Sequence, residues 1–218
     1  MIRRAGALIT EEFYKKALQC LNKEQFEEAI SYCDQALKDH GADPRVRSTF
    51  YDLKGLTLMR RSDHDLRTAL AFLNTAIEEA PTNYFAWAHK GEVMGREAKY
   101  TEALYCLERA IALTERRIDT DEDARTIYLT SLNDKAWILV DGFQEFDGAI
   151  ECCKKALGVD PYYEDAKINK RIAEEKKKIG QATAVGGIKR CPHCGAIVYP
   201  WSVYCPMCGK KMSKASLL

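Results

Sequence analysis

Along most of the chain, apolar residues recur at intervals of three and four, the spacing that lines one face of an α-helix. They fall into successive stretches joined by short polar turns. A second regularity lies inside this one. Two small residues seven apart follow another small residue by about a dozen positions, and the triplet occurs four times. The copies are Ala17, Ala29, Ala36; Gly55, Ala69, Ala76; Gly91, Ala103, Ala110; and Ala136, Ala149, Ala156. Copies two and three are 34 residues apart, from Ala69 to Ala103 and from Ala76 to Ala110. Small side chains at fixed places let two backbones come close. Each copy therefore predicts a helical hairpin, and a hairpin that cannot bury its apolar face alone must stack on its neighbours as a solenoid.

These residues resemble the tetratricopeptide repeat. The third copy carries the pattern most fully, with Trp87, Gly91, Tyr100, Ala103, Leu107 and Ala110. Phe26 and Phe146 stand at the place of Tyr100, and Pro81 and Pro161 close the second and fourth copies. The similarity covers roughly residues 11–162. It departs from the pattern at Phe13 and Tyr51, which stand where Trp87 does. Two further residues enter the turn at 60–65, and about eleven enter around 114–125, where longer helices are expected. Beyond Pro161 another helix is expected to about Ile179, with Ala166, Ile168, Ile172 and Ile179 towards the last repeat and the charged run 174–178 in solvent. The predicted fold is an all-α solenoid of about four hairpins plus a capping helix, residues 1–179.

The end of the chain differs in character. Cys191-Pro-His-Cys194-Gly is followed, after ten residues, by Cys205-Pro-Met-Cys208-Gly. Two residues between cysteines let one turn aim both sulfurs at one ion, and zinc takes four thiolates tetrahedrally. A unit this small also needs a metal or a similar staple to fold. A redox Cys-x-x-Cys site would sit in an alternating strand and helix pattern that is missing here. Within the unit 189–218, read as a zinc ribbon and a tail, residues 189–212 resemble the short zinc-ribbon modules found at the ends of prokaryotic proteins. That resemblance implies one structural Zn²⁺ on Cys191, Cys194, Cys205 and Cys208, with His193 outside the ligand set and two short strands reversing near 200–202. Four thiolates leave no open position for catalysis. Residues 180–188, small and uncharged, read as a flexible linker.

The remaining cysteines (Cys20, Cys33, Cys106, Cys152, Cys153) lie in helical patterns and are expected to behave as small hydrophobes, with Cys152 and Cys153 on different helix faces, one in the core. The first residues make a poor signal peptide, and no apolar stretch is long enough to span a bilayer. A cytoplasmic protein without a membrane partner is therefore expected. Net charge is +1, but residues 1–180 carry −4 while residues 181–218 hold five basic residues and no acid.

The tetratricopeptide resemblance implies a concave wall that binds a peptide or helical segment of a partner protein. The positions mapped to that wall are Tyr14, Leu18 and Asn22 in the first copy, Asp52, Leu56 and Met59 in the second, Phe85, His89 and Glu92 in the third, and Asn133, Trp137 and Asp141 in the fourth. One subset of the family grips a terminal carboxylate with lysines, asparagines and an arginine; the matching places here hold Tyr14, Leu18, Asp52, Leu56, Phe85 and His89, so that clamp is missing. No phosphate-binding loop, nucleophile motif or small-molecule site emerges, so an adaptor is expected and an enzyme is not. The alternative is a nucleic-acid or ribosome-associated factor that touches RNA or DNA through Lys189, Arg190, Lys210 and Lys211 beside Trp201 and Tyr204.

Overall fold

In the computed structural model the four triplets become four helical hairpins. The structure describes residues 2–40 and 43–186 and, further on, residues 189–191, 193, 194, 197, 198, 207, 208, 210 and 211. Helices α1 (Ile2–Asn22) and α2 (Phe26–His40) form the first hairpin, and α3 (Pro44–Arg61) and α4 (Leu66–Glu79) the second. Helices α5 (Tyr84–Arg96) and α6 (Tyr100–Thr114) form the third, and α7 (Glu122–Asp141) and α8 (Phe146–Val159) the fourth, with α9 (Glu164–Gly186) packed on α7 and α8. Each hairpin's first helix touches the first helix of the next, so α1, α3, α5, α7 and α9 make one wall and the second helices the other.

All the alanines of the triplets are 0% exposed, and Gly55 and Gly91 are buried. The glycines are required by contact distance. A Cβ on Gly91 would lie 2.8 Å from both Cγ and Cδ2 of Leu107, and one on Gly55 would lie 2.7 Å from Cγ of Leu73. Leucine on the second helix thus fills the space that glycine leaves on the first. Aromatic pairs add area on the flank of the first three hairpins: Phe13 with Tyr32, Tyr51 with Phe72, and Trp87 with Tyr105, at centroid distances of 6.3, 6.2 and 5.8 Å. Trp87, otherwise buried, donates its indole N–H to the carbonyl oxygen of Pro81 at 2.9 Å.

Three hairpin turns use the same backbone device. Glu24, Ala98 and Gln144 have φ of 58°, 56° and 56°, each two residues before the aromatic that opens the second helix. In the first and third turns the chain closes as a Schellman motif, with Gln25 N–H to Cys20 O and Lys99 N–H to Met94 O, both at 2.9 Å. None of the three residues is glycine, so the left-handed conformation is held against its own cost by these bonds and, in the fourth hairpin, by the Glu145 N–H to Leu139 O bond at 2.8 Å. In the second hairpin the two inserted residues replace it with a short 3-10 turn, Asp63–Asp65, which Ser62 caps through the His64 N–H. Helix starts are fixed by side chains as well: Asp43, Asn83 and Asp121 accept from the amides of Arg45, Ala86 and Ala124.

The structure departs from the sequence reading in four places. The insertion after α6 leaves that helix at the length of its counterparts; it forms the turns of residues 115–120 and lengthens α7 to 20 residues. On α9 the packing positions are Ala166 and Ala173, both 0% exposed, whereas Ile168, Ile172 and Ile179 lie on the solvent side. Residues 180–186, read as linker, continue α9. Cys152 and Cys153 are both buried, because α8 is covered by α7 on one side and by α9 on the other.

Since Leu107 occupies the space beside Gly91, Gly91→Ala is expected to destabilise the fold by about 1–3 kcal/mol, the usual cost of overpacking. Thermal melting followed by circular dichroism measures it, and an unchanged midpoint would refute the account of the seam.

Candidate protein-binding groove and metal centre

The wall of first helices is partly spent on holding itself together. His89 Nδ1 and Asp52 Oδ1 pair at 2.7 Å between α5 and α3, and Asn169 donates to Asn133 Oδ1 at 2.8 Å between α9 and α7. Arg96 bonds to Glu92 at 2.6 Å on its own helix and reaches α3 through the carbonyl of Met59 at 3.3 Å. Burial works against a charged His89, but the charge and hydrogen bond of Asp52 outweigh it and raise the imidazole above its ordinary value.

The structure therefore sorts the expected groove residues. Met59 is 3% exposed, within the core that includes Leu58, Leu66 and Leu73, and Asp52 is buried against His89. Tyr14 sets its edge on Phe50, and Leu18 packs half-buried in the first hairpin. Leu56 and Phe85 are half-buried, Phe85 with its ring centroid 4.7 Å from that of Tyr84 and 6.4 Å from that of His89. Asn22 and Asp141 are exposed. Trp137 is 42% exposed, edge-on to Tyr100, which in turn meets the exposed Phe143.

Between α3, α5 and α7 lies an open pocket of about 280 Å³. Leu56, Met59 and Arg60 line it from α3, His89, Glu92 and Arg96 from α5, and Ile127, Thr130 and Asp134 from α7. Asp134 escaped the sequence reading. Burial, reinforced by the nearby charge of Glu92, pushes its carboxyl up to about 7 against the opposition of Arg96. A period of 3.6 from Trp137 could have placed it on the wall, but its isolation depends on how Arg96 and His89 are engaged by others.

At the other end, the Sγ atoms of Cys191, Cys194 and Cys208 lie within 4.8 Å of one another. The Cys191 and Cys208 sulfurs are 3.6 Å apart, near the edge of about 3.8 Å that a tetrahedron with 2.3 Å zinc–sulfur bonds requires. The three cysteines thus fit a shared metal ion. His193 contributes its backbone N–H to the Cys191 sulfur at 3.4 Å. Burial opposes ionisation of Cys191, yet the N–H groups of His193 and Cys194 and the adjacent thiols bring it down to about 6, the direction a metal thiolate needs. The turn between Cys191 and Cys194 is carried by antiparallel strands β1 (Lys189–Arg190) and β2 (Ile197–Val198), with Lys189 opposite Val198. The strand pair therefore forms across the first cysteine turn. Cys205, Trp201, Tyr204 and the expected reversal at 200–202 lie outside the described residues.

Comparison with known proteins gives the class. The model of the protein prenyltransferase alpha subunit repeat matches residues 66–97, the stretch from α4 through α5. No curated protein matches the chain. Among solved structures, the MamA protein superposes with a TM-score of 0.59 at 22% identity, over 81% of this chain and 87% of that one. A tetratricopeptide repeat protein from Parabacteroides merdae ATCC 43184 gives 0.58 at 16% identity, over 80% of this chain and 62% of the other. MamA from Desulfovibrio magneticus RS-1, residue 41 to its end, gives 0.52 at 19% identity over 81% and 96%. The fold is that of a tetratricopeptide-like helical-repeat protein. Among the described residues no helix is long and apolar enough to cross a membrane.

Asp134 makes a test of the groove's electrostatics. The unfolded chain ionises this carboxyl near its ordinary value of 3.8, the folded chain only near 7, so stability is lost as pH rises across that window. Asp134→Asn is expected to melt several degrees above the parent at pH 8, with the difference vanishing towards pH 4. Equal differences at the two pH values would contradict the burial of the charge.

Proposed function

We propose that this protein is an interaction scaffold that holds a segment of a partner protein along the wall formed by α1, α3, α5, α7 and α9, and that its end is a structural zinc module serving as a second recognition unit. The observation that carries the reading is the open pocket between α3, α5 and α7, lined by half-buried Leu56 and by His89, on which Phe85 stacks, with the exposed ring of Trp137 on the same wall. A solenoid offers an extended wall for a chain segment, and exposed aromatic anchors carry most of the energy of such contacts. The wall is mixed in charge, so recognition rests on apolar contact with local polar selection. It acts by binding rather than by catalysis.

The groove is tested with Phe85→Ala and Trp137→Ala combined. A partner captured by the full chain should bind more weakly by about 2 kcal/mol or more, near thirtyfold, while replacement of Lys210 and Lys211, both exposed, changes little. Helical content is checked first, since either ring also packs against its neighbours. A folded double variant with normal binding, or binding that collapses between low and moderate salt, would transfer the function to the basic end and to nucleic acid.

In the zinc module, Cys191, Cys194 and Cys208, joined by Cys205, would hold the ion. It would supply folding energy to a segment too small to fold by its apolar content. Metal analysis of freshly purified protein should find one zinc per chain, released by chelation without loss of the solenoid's helical signal. Well under one equivalent, with all four thiols titratable, would exclude it.

A further inference from the structure

Around the groove pocket, the acids divide sharply. Asp52 is paired with His89, Glu92 with Arg96, and Asp63, above them, lies 3.6 Å from Arg96. Asp134 has no hydrogen-bond or ion-pair partner among the described residues, although its half-buried carboxylate lines the pocket. The neighbouring cations are engaged elsewhere: Arg96 by Glu92 and the Met59 carbonyl, His89 by Asp52. One turn along α7, at the i+3 position and so on the same face, stands the exposed ring of Trp137. A carboxylate lining an open pocket, with an exposed aromatic ring one turn further along the same helix, is a receptor for a cation with an apolar stem.

We propose that this pocket receives a basic side chain, a lysine or arginine of the partner segment, whose cation pairs with the Asp134 carboxylate while its stem runs against Trp137. The inference rests on the groove reading above and specifies which chemistry the groove selects. Arg60 stands on the opposite wall, on α3, and sets the polarity of the site: the ligand cation lies against α7, away from the guanidinium. An unpaired carboxylate at this depth costs the free protein stability, and a ligand cation would recover it on binding. The pocket is large enough for a guanidinium with its stem.

Binding should also report its charge through pH. The groups facing Asp134 are Arg60 on α3, His89, Glu92 and Arg96 on α5, and Asp165 on α9. Because the free carboxyl titrates near 7 and a cation binds only its ionised form, affinity rises with pH from 6 to 8 and binding releases a proton. His89 loses positive charge as pH rises through its raised value, which acts in the same direction, so the Asp134 share is the part removed by substitution.

The test uses the full chain and two blocked tripeptides, N-acetyl-Gly-Arg-Gly-amide and its citrulline isostere, titrated while the Trp137 indole N–H is followed by NMR. The arginine peptide is expected to give a saturable shift with an affinity at least tenfold above that of the citrulline peptide. Asp134→Asn should bring the two peptides level, and the wild-type preference should grow about five- to tenfold from pH 6 to pH 8. Equal affinity for the two peptides in the wild-type chain overturns the proposal without recourse to any variant. So does an arginine preference that survives in a folded Asp134→Asn protein, or the lack of any saturable shift. Each of these outcomes leaves partner binding through Phe85 and Trp137 standing, so failure of the cation site and failure of the groove are told apart.

Discussion

The constraint on which everything else depends is the distance between the two helices of a hairpin. Gly55 and Gly91 leave no room for a Cβ because Leu73 and Leu107 already sit there, and the alanines of the triplets are without exposed surface. With the hairpin drawn this tight, the outer flanks are left to aromatic pairs and the inner wall to longer side chains. The spacing of the first helices, and with it the pocket between α3, α5 and α7, follows from how close those seams let each hairpin fold.

The wall then has two duties that compete for the same residues. Asp52, His89, Arg96, Asn133 and Asn169 join first helix to first helix, which fixes the stacking but withdraws their polar groups from any partner. What remains outward is a short series of apolar and aromatic side chains and a few charges left over by the pairing. Asp134 is such a remainder. Its isolation comes from the engagement of its neighbours, so the chemistry of the groove is set by the stacking network rather than by a dedicated motif.

This explains what could be read from the amino-acid sequence and what could not. The triplets were legible because burial at a fixed period is a local property: every one of those alanines and glycines is buried. The approach of Cys191, Cys194 and Cys208 was legible because cysteines spaced two residues apart already define a turn. By contrast, the pairing of Asp52 with His89 joins residues 37 positions apart and exists only once repeats are stacked. The outward placement of Ile168, Ile172 and Ile179 reflects the register of α9, which buries Ala166 and Ala173 on the seam as every other repeat buries its alanines. The burial of both Cys152 and Cys153 follows from that same covering helix. Left-handed Glu24, Ala98 and Gln144 left no trace in residue type, since hydrogen bonds across the turn, not glycine, hold them there.

The burial of the helical cysteines divides the protein's response to oxidants. Removal from water pushes the thiols of Cys33, Cys106 and Cys153 up to about 12, 11 and 11, so near neutral pH almost none of the reactive thiolate forms, and the packed seam keeps peroxide away. Cys191 is held near 6 and Cys194 is exposed, which concentrates nucleophilic sulfur at one end of the molecule. Oxidative damage would therefore begin there, as sulfenic acid or disulfide within the cysteine cluster, while the repeats keep their shape. Under oxidative stress the helical stack would therefore outlast the cysteine cluster.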